Sequence, residues 1–333
     1  MKFNKIFETI TPYKSEEVEN FMRLHANENP YINREILNLL SEEIKNLRLN
    51  YYPEIDQKKS REILAKFFNV DYSNIAVGNG SDELIDLCIK IFSGNEIIIL
   101  NPSFEMYSFY SKLNNLKINY INFDELNKIN NLINENTRMI ILCSPNNPCG
   151  RIIKKDIIKK ILDSKIPVLL DEAYYEFCDE NNFEFIKEYD NLIISRTFSK
   201  ALGMAGARIG YIISSEKIIS NLMKIKSPYS FSITNEKIVE IIIKNYDLIK
   251  INILKIIEER ERMKKLLNVK FDSKSNFIVI ESNEIDLLYN KLLDNKIIVK
   301  KLKNLNNCIR ITVGNKSDND FVIDIIKNKL NYY

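Results

Sequence analysis

Between residues 31 and 235, short apolar runs recur at intervals too long for hairpins, with helix-like sequence between them. They are Glu96 to Leu100, Arg138 to Leu142, Pro167 to Asp171, Leu192 to Ser195 and Arg208 to Ile213. Several hold consecutive Ile, Leu or Val without the in–out alternation of a sheet wetted on one side. Both faces of such strands must be covered. Strands of this kind alternating with helices fold as a mostly parallel sheet flanked by helices, an α/β class.

The rest of the chain divides around that block. Residues 1–30 read as an N-terminal arm, interrupted by Thr11-Pro12-Tyr13. Residues 31–235 read as the large domain, ended by the break Ser227-Pro228-Tyr229-Ser230. Residues 236–333 read as a smaller α+β domain: a long helix over Glu236 to Leu267, then strands Asn276 to Glu281, Ile297 to Lys300 and Cys308 to Val313. A chain of 333 residues is long enough for two such units, with a ligand closed between them.

Charge narrows the function classes. The 48 Lys and Arg alternate with 45 Asp and Glu, so no basic stripe for nucleic acid is expected. With a single histidine, His25, a histidine-rich metal site is excluded. Cys88, Cys143, Cys149, Cys178 and Cys308 are odd in number and lack C-x-x-C spacing, which predicts free thiols in a reducing cytoplasm. No signal sequence or long apolar stretch is read, so no membrane is expected.

The chemistry concentrates at Lys200. A strand-like stretch ending at Ser195 runs into Thr197, Ser199 and Lys200, then into Gly203, Gly206, Arg208 and Gly210. Only 8 glycines occur in the chain, and a cluster of three beside one lysine lets something approach the backbone closely. A lysine with hydroxyls and an arginine suits a Schiff base to a phosphorylated aldehyde, pyridoxal 5'-phosphate. With 48 Lys and Arg, the ordinary reading of any one lysine is a solvated surface group. Its companions argue otherwise.

Asp171 ends an apolar run and so lies at the carboxyl edge of the sheet, where ligands of α/β folds bind. A buried carboxylate there needs a cation, and a protonated pyridine nitrogen would serve. A plain helix cap is the competing reading of Asp171 alone. Tyr174 and Asn147, the latter in the turn Asn146-Asn147-Pro148-Cys149-Gly150, are candidate donors to the ring's phenolate oxygen. Gly78-Asn79-Gly80-Ser81-Asp82-Glu83 is a strand, a glycine turn and a helix start, an anion site by its free amides. The same Gly-x-Gly resembles a dinucleotide fingerprint, but its third glycine is Glu83.

Taken together these segments resemble the fold-type I, class II aminotransferases. Leu24 to Pro30, Asn50-Tyr51-Tyr52-Pro53, Asp171 to Phe177 and Ile309 to Gly314 narrow the resemblance to the histidinol-phosphate aminotransferase family, in order and over nearly the whole length. The resemblance implies pyridoxal phosphate as cofactor. It gives Lys200 the Schiff base and the proton transfer, Asp171 the pyridine nitrogen, and Asn147 and Tyr174 the phenolate oxygen. Gly80, Ser81, Thr197, Ser199 and Arg208 would hold the phosphate, with Phe104 stacked on the ring where the family often has tyrosine. Tyr52 would reach the phosphate of a neighbouring subunit, making the unit a homodimer. Arg310, with Tyr13 and Asn27, would take the substrate: the carboxylate of L-glutamate or the phosphate of histidinol phosphate. A structural salt bridge is the competing reading of Arg310. The alternatives left open are a threonine-phosphate decarboxylase-like lyase, an aromatic or broad-specificity aminotransferase and a non-catalytic cofactor-binding regulator.

Overall fold

A computed structural model describes residue 1, residue 6, residues 19–31 and residues 33–330. It begins with strand β1 (Met22–Leu24), helix α1 (Arg34–Ile44) and helix α2 (Lys58–Phe68). Then come β2 (Ile75–Asn79), α3 (Gly80–Lys90), β3 (Glu96–Asn101), α4 (Glu105–Leu113) and β4 (Lys117–Asn122). Next are β5 (Thr137–Cys143), α5 (Lys155–Leu162), β6 (Val168–Asp171), β7 (Leu192–Thr197) and β8 (Ile209–Ser214). Helices α6 (Glu216–Ile225), α7 (Ile233–Lys244) and α8 (Tyr246–Leu266) follow. The chain closes with β9 (Phe277–Glu281), α9 (Ile285–Asp294), β10 (Ile297–Lys301), β11 (Cys308–Thr312) and α10 (Lys316–Leu330).

Seven strands form one sheet in the order β2-β8-β7-β6-β5-β3-β4. β8 runs antiparallel to both β2 and β7, and the remaining pairs are parallel. Its apolar runs are covered on both sides, as their lack of alternation requires. Ile140, Leu142, Leu170 and Ile194 enter one buried cluster, while Met139, Ile141, Leu169 and Ile193 enter another across the sheet. The second sheet has the order β1-β10-β11-β9, with β1 parallel to β10 and the other pairs antiparallel.

Three features differ from the sequence expectation. Met22–Leu24, inside the expected arm, is a strand paired with Ile297 to Val299 of β10. A three-residue strand carries too little pattern to be read. β4 was not expected because Lys-Ile-Asn-Tyr-Ile-Asn mixes three polar residues into a short segment with no continuous apolar run. It is the edge strand beside β3, where charge and polarity guard an open ladder. The long helix expected over Glu236 to Leu267 is two helices, parted at Asn245. The Asn245 side-chain amide and backbone N–H both donate to the Ile241 carbonyl, so the last turn of α7 is closed by the asparagine itself.

One buried ion pair braces the sheet beside the functional edge. Arg196 of β7 donates to Glu172 Oε2 at 2.7 and 3.0 Å, and both side chains are buried. Asn182 donates to the other oxygen of Glu172, and the Arg196 guanidinium lies 3.7 Å from the Tyr175 ring centroid. Among the described residues no helix is long and apolar enough to cross a membrane.

Candidate active site at the carboxyl edge of the large sheet

Parallel strands point their carboxyl ends one way, and the singled-out residues gather there. Asp171 closes β6 in register with Cys143 of β5 and Ser195 of β7. Lys200 follows β7 within a turn, and Asn147 follows β5.

Asp171 is only 4% exposed, and its two oxygens have separate donors. The Ala173 N–H donates to Oδ1 at 3.0 Å and the Tyr107 hydroxyl to Oδ2 at 2.5 Å. No lysine or arginine among the described residues forms an ion pair with it. Burial pushes its carboxyl up to about 6, helped by the Asp82 and Glu172 charges and opposed by the two hydrogen bonds. A buried carboxylate with neutral donors only is suited to a cationic ring nitrogen.

Lys200 is half-buried, and its Nζ donates to the Ala26 carbonyl at 2.8 Å. Burial, then the Arg310 charge, pushes its ammonium down to about 8. A useful fraction of the amine is therefore unprotonated near neutrality, as attack on a carbonyl requires.

The anion cradle is built on glycine. Gly80 opens α3 at φ +78°, and a Cβ there would sit 2.6 Å from the Arg208 guanidinium. Gly210 of β8 lies against that helix start, where a Cβ would be 2.2 Å from the Ser81 nitrogen. Arg208 itself adopts φ +53° and donates to Ser199 Oγ at 3.3 Å and Asp82 Oδ2 at 2.9 Å. Thr197 Oγ1 accepts from the Ser199 N–H at 3.1 Å. The cradle joins a cation, two hydroxyls and helix-start amides, a set that fits a phosphate. The neighbouring Gly-x-Gly needs no dinucleotide. Gly78 gives room to Leu84, and Glu83 caps α3 by accepting from the Asn79 N–H at 2.5 Å.

The two candidate phenolate donors are each tied to β11. Arg310, 8% exposed, donates from one guanidinium nitrogen to Asn147 Oδ1 at 2.5 Å and from another to the His25 carbonyl at 2.6 Å. Tyr174 accepts from the Asn27 amide at 2.9 Å, which leaves its own hydroxyl proton to donate elsewhere. Asn27 is 1% exposed and also accepts from Thr312, while its backbone N–H donates to the same hydroxyl. Its amide is turned to Tyr174 and Thr312. Phe104 precedes α4 and meets Tyr107 edge-on at 5.6 Å. Tyr52 is 81% exposed and stacks on Tyr229 at 4.4 Å. Tyr13 lies outside the described residues.

Sequence reading did not single out Tyr107, Ala26 or Asp82. Tyr107 stands one helical turn after Phe104, the spacing that places both on one face, and that was the available signal. With a lysine, a buried acid and an anion cradle at a sheet's carboxyl edge, the site fits pyridoxal phosphate and the class of enzymes that use it.

The model of the class I and II aminotransferase family matches residues 19–326, and the chain belongs to that family. The histidinol-phosphate aminotransferase of Thermococcus gammatolerans is 38% identical over 331 residues, covering 97% of this chain and 96% of its own length. The histidinol-phosphate aminotransferase of Sinorhizobium meliloti, solved with pyridoxal 5'-phosphate, superposes with a TM-score of 0.88 at 20% identity, covering 98% of each chain. The L-threonine-O-3-phosphate decarboxylase of Porphyromonas gingivalis superposes with a TM-score of 0.81 at 22% identity, covering 93% of this chain and 99% of that one.

Proposed function

We propose that this chain transfers an amino group between L-glutamate and imidazole-acetol phosphate, forming L-histidinol phosphate with pyridoxal phosphate as cofactor. The observation that carries the reading is that Lys200, Asp171, Asn147 and Arg208 lie at the carboxyl edge of the large sheet, where Arg310 of the second sheet reaches Asn147. When bound, pyridoxal phosphate supplies a ring that accepts the electrons of the substrate Cα–H bond. Lys200 would hold the cofactor's aldehyde carbon, and its amine would serve as the base that carries the proton at the substrate Cα. Asp171 keeps the ring nitrogen cationic. Asn147 and Tyr174 donate to the phenolate oxygen, and Phe104 covers the ring face.

Gly80, Ser81, Thr197, Ser199 and Arg208 hold the cofactor's phosphate. Arg310 binds the substrate anion, the carboxylate of glutamate or the phosphate of histidinol phosphate, by its planar fork. Asn27, expected to take the substrate, acts instead by orienting the Tyr174 hydroxyl for the phenolate oxygen. The working unit is a homodimer in the cytoplasm. Leu49, Tyr51, Tyr52 and Ile55 expose 59–81% of their surface in one segment, a patch suited to a second copy that would receive Tyr52 at its phosphate. Residues 31–235 and 236–333 act as the large and small domains around the site.

The test is the half-reaction. Purified protein in its yellow form is mixed with L-histidinol phosphate, without a keto acid, and its visible band is followed. Loss of the band with stoichiometric imidazole-acetol phosphate is expected. A persistent band, with carbon dioxide released from O-phosphothreonine, would replace amino transfer by decarboxylation.

A further inference from the structure

We infer that Tyr107 is a positioning residue for the cofactor ring, its buried hydroxyl holding Asp171 as an aimed carboxylate that a cationic ring nitrogen can still claim. The inference rests on the reading of Asp171 as the partner of that nitrogen.

The geometry is specific. Tyr107 is fully buried, one turn after Phe104 on α4, and its ring stands perpendicular to that of Phe104. Its hydroxyl has a single proton, and that proton goes to Asp171 Oδ2 at 2.5 Å. The Ala173 N–H takes the other oxygen at 3.0 Å, so the carboxylate plane is fixed from both sides. Each oxygen keeps a lone pair for a further donor.

The choice of a neutral donor matters. The titratable groups around Asp171 are Tyr107 from α4, Cys143 from β5, Asp82 from α3, and Glu172 and Tyr174 beyond β6. The two carboxylates and burial favour a protonated Asp171, which could not pair with a cation. A lysine or arginine in place of Tyr107 would hold the charge but also neutralise it. The tyrosine hydroxyl stabilises the anion by a short hydrogen bond and leaves its full charge for the ring. Burial holds the Tyr107 proton far above its ordinary range, so the donor cannot be lost near neutrality.

The experiment compares apoproteins of the wild type, Tyr107→Phe, Asp171→Asn and the double variant. Pyridoxal phosphate affinity is measured by equilibrium dialysis, from well below to well above the Asp171 midpoint near 6. Tyr107→Phe is expected to weaken binding about 10-fold at neutral pH. The acid limb of its affinity curve should move to higher pH, because the carboxyl there loses a hydrogen bond to its charged form. In the Asp171→Asn background this limb should be absent, and Tyr107→Phe should not change the shape of the pH profile. A Tyr107→Phe curve that keeps the wild-type limb, with or without a uniform drop, would reduce Tyr107 to packing and overturn the inference. Failure of the wild-type chain itself to take up pyridoxal phosphate would instead overturn the cofactor reading, and this inference with it.

Discussion

Glycine at position 210 is a requirement that can be put in numbers. A Cβ on Gly210 would lie 2.2 Å from the Ser81 nitrogen, 2.4 Å from the Gly80 carbonyl carbon and 2.7 Å from the Ser81 Cα. All three are backbone atoms, which no rotamer change can move. Ordinary contact begins near 3.4 Å, so the start of α3 must retreat from β8 by about 1 Å in Gly210→Ala. Overpacking of this kind costs about 1–3 kcal/mol. With unfolding entropy near 2.1 cal/mol/K per residue, about 3 kcal/mol lowers the Tm of a 333-residue chain by roughly 4 °C. The same retreat carries the Gly80 and Ser81 amides off the phosphate. Losing one hydrogen bond to a charged group, about 1.5–3 kcal/mol, weakens cofactor affinity up to roughly 100-fold. Gly206→Ala is the control, since nothing lies within 4 Å of its added Cβ. It should leave affinity unchanged and keep or slightly raise the Tm, by reducing the freedom of the unfolded chain. Differential scanning calorimetry and cofactor dialysis on both variants decide the matter. Wild-type affinity and Tm in Gly210→Ala would refute the claim that this contact shapes the cradle.

Two further predictions concern buried charge. The Asp171 carboxyl is raised to about 6 from 3.8, so its protonation stabilises the apoprotein at low pH and that contribution is lost as pH rises through 6. Asp171→Asn mimics the protonated form, and apoprotein stability in urea should exceed wild type by ~2–3 kcal/mol above pH 6, with no gain below about pH 4. An equal gain at both ends would exclude this titration as the cause. Arg196→Met leaves Glu172 buried without its cation and should cost about 3–5 kcal/mol in the same urea assay. A loss under about 1 kcal/mol would mean that Asn182 suffices to hold Glu172.

The parallel core was legible because its strands are apolar on both faces, and the structure places strands within a residue or two of the runs at 96, 138, 167, 192 and 208. β4 and β1 were not, since one is an edge of mixed polarity and the other three residues long. At the candidate site, residue type and chain position singled out Lys200, Asp171 and Arg208, because a lysine and an arginine are unusual beside clustered glycines and an acid is unusual at the end of an apolar strand. Tyr107 was hidden because a tyrosine in a helix reads as core, and only the fold brings residue 107 to residue 171. The hydrogen bonds of Asn27 likewise join residues 27, 174 and 312, a set that no local pattern holds.

The pairing of β1 with β10 sets an order on how the site is made during synthesis. Met22 leaves the ribosome before any strand of the large sheet, yet its ladder partner Ile297 comes out after all of them. Strands β2 to β8 can pair as soon as Ser214 is clear, and domains generally fold as units during synthesis. The Ala26 carbonyl over Lys200 and the Asn27 amide on Tyr174 follow directly after β1. That wall of the site therefore closes only after β10 arrives, so residues translated before the large sheet are placed after it.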